Sequence, residues 1–217
     1  MTYDGTVHPG APSVRELAAL TVTKASVGPM DNNAYILRCR DTGEVVLIDA
    51  AAESTTLLEL LGDEPLARVI TTHRHQDHWS ALAEVIAATD AETVAGAADA
   101  EGIPVPTTRR VTDGDTVPVG SCELAVIHLV GHTPGSIALL YDDPGGRAHL
   151  WTGDSLFPGG VGNTHGDATA FASLVDDVEH KLFDRLPDDT WVYPGHGGDT
   201  TLGAERPHLA EWRERGW

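Results

Sequence analysis

The sequence predicts an α/β domain built as a four-layer αββα sandwich, on three observations. Apolar, β-branched runs lie on both sides of helical segments. Residues 170–186 place Phe171, Leu174, Val175, Val178 and Leu182 at three- and four-residue intervals, which is one apolar stripe of a helix. The run LARVITT, a short buried strand, leads through TTHRHQDHWS into the helical SALAEVIAA, where Leu82, Val85 and Ile86 share a face. Strand-to-helix junctions of this kind are where α/β architectures place ligand crevices. With 217 residues, 41% of them hydrophobic, the chain can bury one sizeable core, and two full domains would be cramped. The expectation is therefore a single domain over residues 1–217, with an N-terminal arm and a short C-terminal extension.

Taken in order, residues 1–12 are rich in Gly and Pro and are expected to wrap the surface. Residues 13–20 read as a short helix or an irregular arm. TVTKASV, AYILRC and EVVLIDA then form an antiparallel meander, with Asp41, Thr42 and Gly43 turning between the last two. The intervening GPMDNN is too polar for a strand interior. Asn32 and Asn33 there either hold backbone groups or serve the outer shell of a nearby site. Residues 53–61 form a helix, and residues 69–71 the strand that enters the histidine cluster. A helix follows over 80–88. Residues 90–100 mix strand and helix signals, and 102–108, with two prolines, are loop. Asp113–Asp115 turn into the strand TVPVG, and CELAVIHLV alternates as a longer strand ending at Gly131. SIALLY and RAHLW make a hairpin. TWVYP is a short strand, and residues 207–215 form a terminal helix.

Fourteen basic against 33 acidic residues leave a formal charge of −19. Phosphate backbones are held by clustered Lys and Arg, so this balance argues against a nucleic-acid partner. A small anionic substrate is still compatible, because metal ions dominate the potential of their own site. Cys39 and Cys122 lie in expected strands and read as buried thiols rather than a disulfide framework or a metal-binding pair. No leader pattern and no apolar run of about 18 residues is visible, so a cytoplasmic protein without a membrane partner is expected.

His73, His75, Asp77 and His78 fall within six residues. Imidazole nitrogens suit zinc and iron, and a carboxylate adds charge and fixes geometry, so a metal explains this density better than a polar loop capping a helix. Three further segments share one form: a strand ends, Gly or Pro follows closely, and a His or Asp appears. They are VGHTPGS with His132, WTGDS with Asp154 and YPGHG with His196. The nearby glycines permit tight turns and close approach to a site. Each of the three alone could be a core histidine or a turn aspartate; with the first cluster they make seven candidates at comparable strand ends. His8, His149, His180 and His208 lack that context. His165, after a Gly-rich loop, is a candidate for lining the pocket.

THRHQDH, GHTPG, TGD and PGHG resemble the ligand motifs of the metallo-β-lactamase superfamily, above all its glyoxalase II-like branch. The resemblance runs from about Leu20 to His196. It implies an αββα sandwich of the metallo-β-lactamase type with a dinuclear centre at its rim. His73, His75 and His132 would hold one ion, Asp77, His78 and His196 the other, and Asp154 would bridge them. Zinc is the expected metal, with iron or manganese as alternatives. Two divalent ions about 3.5–4 Å apart activate a bridging water near neutral pH. The implied activity is hydrolysis of a small-molecule thioester, ester or lactone, with Asp77 and Asp154 as the catalytic carboxylates. True β-lactamases of the superfamily commonly carry Cys where Asp154 stands, which makes antibiotic hydrolysis a lesser expectation.

Glyoxalase II recognises glutathione through basic and tyrosine residues after the TGD motif and in a helical C-terminal domain. Here the loop reads SLFPGGVGNTHGD, and 21 residues follow His196. Glutathione recognition is thus expected to be reduced, and Asn163, Thr164 and His165 are the candidate substrate contacts. Two alternatives stand beside this reading. One is a mononuclear iron enzyme resembling persulfide dioxygenases; the other is a metal-stabilised binding or scaffold protein without turnover.

Overall fold

In a computed structural model the described residues are 3–216; Met1 and Thr2 of the expected arm, and Trp217, lie outside them. Seven strands form the first sheet in sequence order: β1 (Ser13–Glu16), β2 (Leu20–Val27), β3 (Asn32–Cys39), β4 (Val45–Ile48), β5 (Leu66–Thr71), β6 (Glu92–Gly96) and β7 (Arg109–Val111). β1 to β4 pair antiparallel, and β4 to β7 pair parallel. Parallel neighbours need a crossover, and α1 (Ser54–Leu61) and α2 (Leu82–Thr89) supply the first two.

The second sheet contains β8 (Thr116–Val119), β9 (Cys122–His128), β10 (Ile137–Asp142) and β11 (Ala148–Gly153) as an antiparallel run. A small hairpin, β12 (Leu156–Phe157) and β13 (Gly160–Val161), and α3 (Ala168–Asp177) precede β14 (Trp191–Pro194), which lies parallel to β11. β15 (Thr200–Thr201) closes that edge, and α4 (Leu202–Glu205) and α5 (Leu209–Arg215) follow.

Strand alternation explains the layering. On β3, Tyr35, Leu37 and Cys39 face the second sheet, joining Val126, Leu139 and Trp151 in the central core. Ala34 and Ile36 point the opposite way, towards Leu57 and Val85 of α1 and α2. The outer face of the second sheet is covered by Leu174 of α3 and Trp212 of α5. The central strands are therefore buried on both faces, which is why VVLI of β4 is an unbroken apolar run. The αββα layering matches the expectation. Among the described residues no helix is long and apolar enough to cross a membrane.

Several local expectations need correction. Residues 13–16 are a strand, not a helix or irregular arm, because pairing with the edge of β2 supplies backbone partners that outweigh local preference. Asn32 and Asn33 open β3 despite their polarity, since tertiary acceptors satisfy their amides. The ambiguous 90–100 stretch resolves into β6, buried between β5 and β7. The expected 170–186 helix begins two residues earlier, behind the capping Asp167, and its last part, Val178–Phe183, widens into a π-helical turn.

Candidate metal centre

Every proposed ligand lies just beyond the C-terminal end of a strand, along one rim of the sandwich. After β5, residues 72–75 lead into a 3-10 turn, Gln76–His78, closed by His78 N–H donating to His75 O at 3.0 Å. That turn puts His73 and His78 inward, both buried, while Arg74 and Gln76 point out. His132 follows β9, Asp154 follows β11 and His196 follows β14. Small residues make the approach possible: a Cβ on Gly195 would overlap Asp154 Oδ1 and sit 2.7 Å from His78 Cε1.

The donor atoms converge in three overlapping groups, His73–His75–His132, His73–His78–Asp154 and Asp77–His78–His196, each with its atoms within 4.8 Å of one another. His132 Nε2 lies 2.9 Å from His75 Nδ1 and 3.2 Å from His73 Nε2. His196 Nε2 lies 3.3 Å from His78 Nε2 and 3.2 Å from Asp77 Oδ2. Asp154 reaches both sides, with Oδ1 3.3 Å from His78 Nε2 and Oδ2 at 3.4 Å from His196 Nε2 and 3.6 Å from His132 Nε2. All seven candidates are thus brought together.

Outer partners fix which nitrogen faces inward. His132 Nδ1–H donates to Asn163 O at 2.8 Å and His196 Nδ1–H to Met30 O at 2.9 Å. His78 Nδ1–H donates to Asp49 Oδ2 at 2.8 Å. Thr72 gives its hydroxyl proton to the same carboxylate oxygen at 2.8 Å, so its oxygen is free to accept from His73 Nδ1–H at 3.1 Å. Each of these imidazoles therefore presents a bare Nε2 to the crevice, the tautomer a metal requires. Lone pairs about 3 Å apart repel unless a cation or a proton lies between them. Asp154 Oδ1 is buried without a hydrogen-bond partner, another lone pair aimed at the same space. The N/O donor set fits divalent zinc, iron or manganese.

The electrostatics agree. Burial pushes His73 well below the usual imidazole range and lowers His75 and His132, keeping all three neutral. Burial opposes charge on His78 too, but Asp49 and Asp154 outweigh it and push its pKa up to about 10. Against the burial that would raise it, His196 and His78 hold Asp154 well below the usual carboxylate range.

The three candidate substrate contacts are placed differently from one another. His165, with φ 55°, sets its ring 6.2 Å from that of His75. The Asn163 side chain accepts from His165 N–H, and its backbone carbonyl serves His132. Thr164 turns towards Asp167 at the start of α3. Asn32 does what both earlier options allowed, donating to Asp77 O at 2.9 Å and to Asp77 Oδ2 at 3.0 Å, whereas Asn33 bonds backbone alone. Sequence reasoning missed Asp49 and Asp99. Buried Asp99 accepts from Arg74 N–H, Gly135 N–H and the Thr133 hydroxyl, tying the His73–His75 segment to the His132 loop. Asp49 ends a strand as Asp154 does, a signal that could have found it, but no glycine flanks it.

A family model described as the metallo-beta-lactamase superfamily matches residues 27–196. A hydroxyacylglutathione hydrolase from Polaromonas sp. is 37% identical over 175 residues, covering 76% of this chain and 62% of its own length. The chain thus spans less than two thirds of that relative. Among solved structures, ETHE1 from Myxococcus xanthus is 29% identical with a TM-score of 0.75, covering 89% of this chain and 84% of its own. A protein solved in a di-iron-bound form is 32% identical with a TM-score of 0.68, covering 84% and 96%. The BLEG-1 B3 metallo-beta-lactamase is 28% identical with a TM-score of 0.74, covering 87% and 97%.

Proposed function

Because this chain belongs to the metallo-beta-lactamase superfamily, in its glyoxalase II-like branch, we propose that it is a dinuclear metal-dependent hydrolase of a thioester, ester or lactone. The observation that carries the reading is the doubled donor set with one carboxylate, Asp154, in reach of both halves. His73, His75 and His132 would hold one ion, Asp77, His78 and His196 the other, and Asp154 both. Zinc is the first choice, and the likeness to a di-iron protein keeps iron beside it. Two divalent ions so held supply Lewis acidity and a water activated near neutral pH.

The chain's own residues supply orientation. Asn32 pins the Asp77 carboxylate, and Asp49 aims His78 directly and His73 through Thr72. Beside Asp77 a hollow of about 290 Å³ is lined by Pro29, Met30, Ala51 and Ala52, with Asn32, Gln76 and Ser80 as its polar neighbours, and no Lys or Arg borders it. That lining supports a neutral, apolar substrate arm over an anionic one such as glutathione. The Asn163–His165 loop would contact the substrate from the opposite side.

The test pairs metal quantification with a panel of thioesters, esters, lactones and β-lactams. About two ions per chain and turnover within the first three classes are expected, and Asp154→Ala should lose both a bound ion and turnover. Full activity of that variant with two retained ions would sink the scheme. The likeness to ETHE1 favours a second reading, the persulfide dioxygenase-like one; one iron per chain with oxygen-dependent turnover would select it. Tightly held ions without turnover would mark a binding or scaffold protein.

A further inference from the structure

We propose that Lys24 is a positioning residue for the Asp77–His78–His196 subsite, acting through the loop of residues 194–199; the inference rests on the two-subsite reading above. Lys24 lies in β2 with its side chain wholly buried. Its ammonium donates to Gly5 O at 2.9 Å, Gly197 O at 2.6 Å and Asp199 Oδ1 at 2.7 Å. All three of its protons are used. The other oxygen of Asp199 accepts from Tyr3 Oη–H at 2.6 Å and Trp191 Nε1–H at 2.8 Å. A buried ion pair is a poor source of stability relative to apolar packing, so its worth lies in the geometry it imposes.

That geometry is the backbone around His196. Gly197 O, held by Lys24, also accepts from Asn33 Nδ2 at 2.9 Å. Asn33 Nδ2 and Tyr35 Oη reach Pro194 O at 2.9 and 2.6 Å, and Asn33 N–H reaches Gly195 O at 2.8 Å. The carbonyls on either side of His196 are thus clamped from β2 and β3, while its ring points Nε2 at Asp77 and Asp154. Lys24 donates no bond to the segments that carry His73, His75 or His132. The N-terminal segment completes the clamp. Gly5 takes φ +85°, and a Cβ there would sit 2.6 Å from Asp199 Cβ, so glycine lets the strap lie against the ion pair.

The experiment compares wild type, the double variant Lys24→Met with Asp199→Asn, and Tyr3→Phe. The double variant removes both charges together and leaves no lone buried ion. Zinc titration against a competing chelator should show one ion weakened about 10- to 100-fold and the other unchanged. Hydrogen exchange of the metal-free double variant should rise about 10-fold or more in residues 194–199 and stay level in 71–79. Tyr3→Phe should shift both readouts the same way, by less. Wild-type affinity for both ions, or exchange raised evenly across both sheets, would overturn the assignment and leave Lys24 a general structural residue. If wild type binds a single ion, the dinuclear reading fails; exchange at 194–199 then decides Lys24 by itself, and no rise there overturns it.

Discussion

Asp49 concentrates the site's demands in one residue. It sits after β4 with φ 58°, a left-handed conformation that costs a non-glycine residue roughly 1 kcal/mol or more. In return its buried carboxylate accepts from Thr72 N–H at 2.7 Å, from the Thr72 hydroxyl and from His78. Asp49→Asn keeps the shape but leaves one oxygen to do the work of two. We expect metal affinity to fall about 10- to 100-fold with the fold retained, measured by chelator competition and circular dichroism. Wild-type affinity would show that Asp49 does not orient the ligands. The seven metal-binding candidates were legible in the sequence because the density of ligand types in residues 73–78, and the glycines beside His132, Asp154 and His196, are local features. Asp49 was passed over because its strand-end position carries no flanking glycine and its partners lie 23 and 29 residues away.

Among the elements, α3 shows how a cap and a loop share one residue. Asp167 Oδ1 accepts from Thr169 N–H at 2.9 Å and Ala170 N–H at 3.0 Å, satisfying two donors that a helix start leaves open. Asp167→Ala should destabilise the protein by about 1 kcal/mol in urea unfolding. Its own N–H donates to Thr164 O at 3.0 Å, so the change also reaches the loop whose Asn163 carbonyl holds His132. A midpoint equal to wild type would mean the cap contributes nothing. The apolar stripe of α3 was readable because its period is set by the helix alone. β6 was not: TVA of β6 is buried throughout, so no alternation separates strand from helix. β1 and the start of β3 escaped for a related reason, since their partners belong to β2 and to the 194–197 loop.

For the whole molecule, the crevice links ligand binding to folding. Five histidine nitrogens and two carboxylates crowd a rim where both sheets end, and a cation that binds only this arrangement stabilises it by mass action. Free metal at about 100 times its dissociation constant contributes roughly 2.7 kcal/mol. Chelation should therefore lower Tm by roughly 5–10 °C in a chain of this size, and added zinc should restore it. A Tm indifferent to chelator would separate the site from folding. By itself the sequence determined the layered α/β class, the helical periods and the ligand types clustered within residues 73–78. These follow from spacing along the chain, which local geometry converts directly into faces and turns. Only the tertiary structure decided which nitrogen each imidazole turns inward, and how His132 and His196 meet residues 57 and 118 positions earlier. Those choices belong to sheet register and to buried hydrogen-bond partners, and neither leaves a periodic trace. TTHRHQDHWS carries four of the seven proposed ligands; the strand order brings the other three to them.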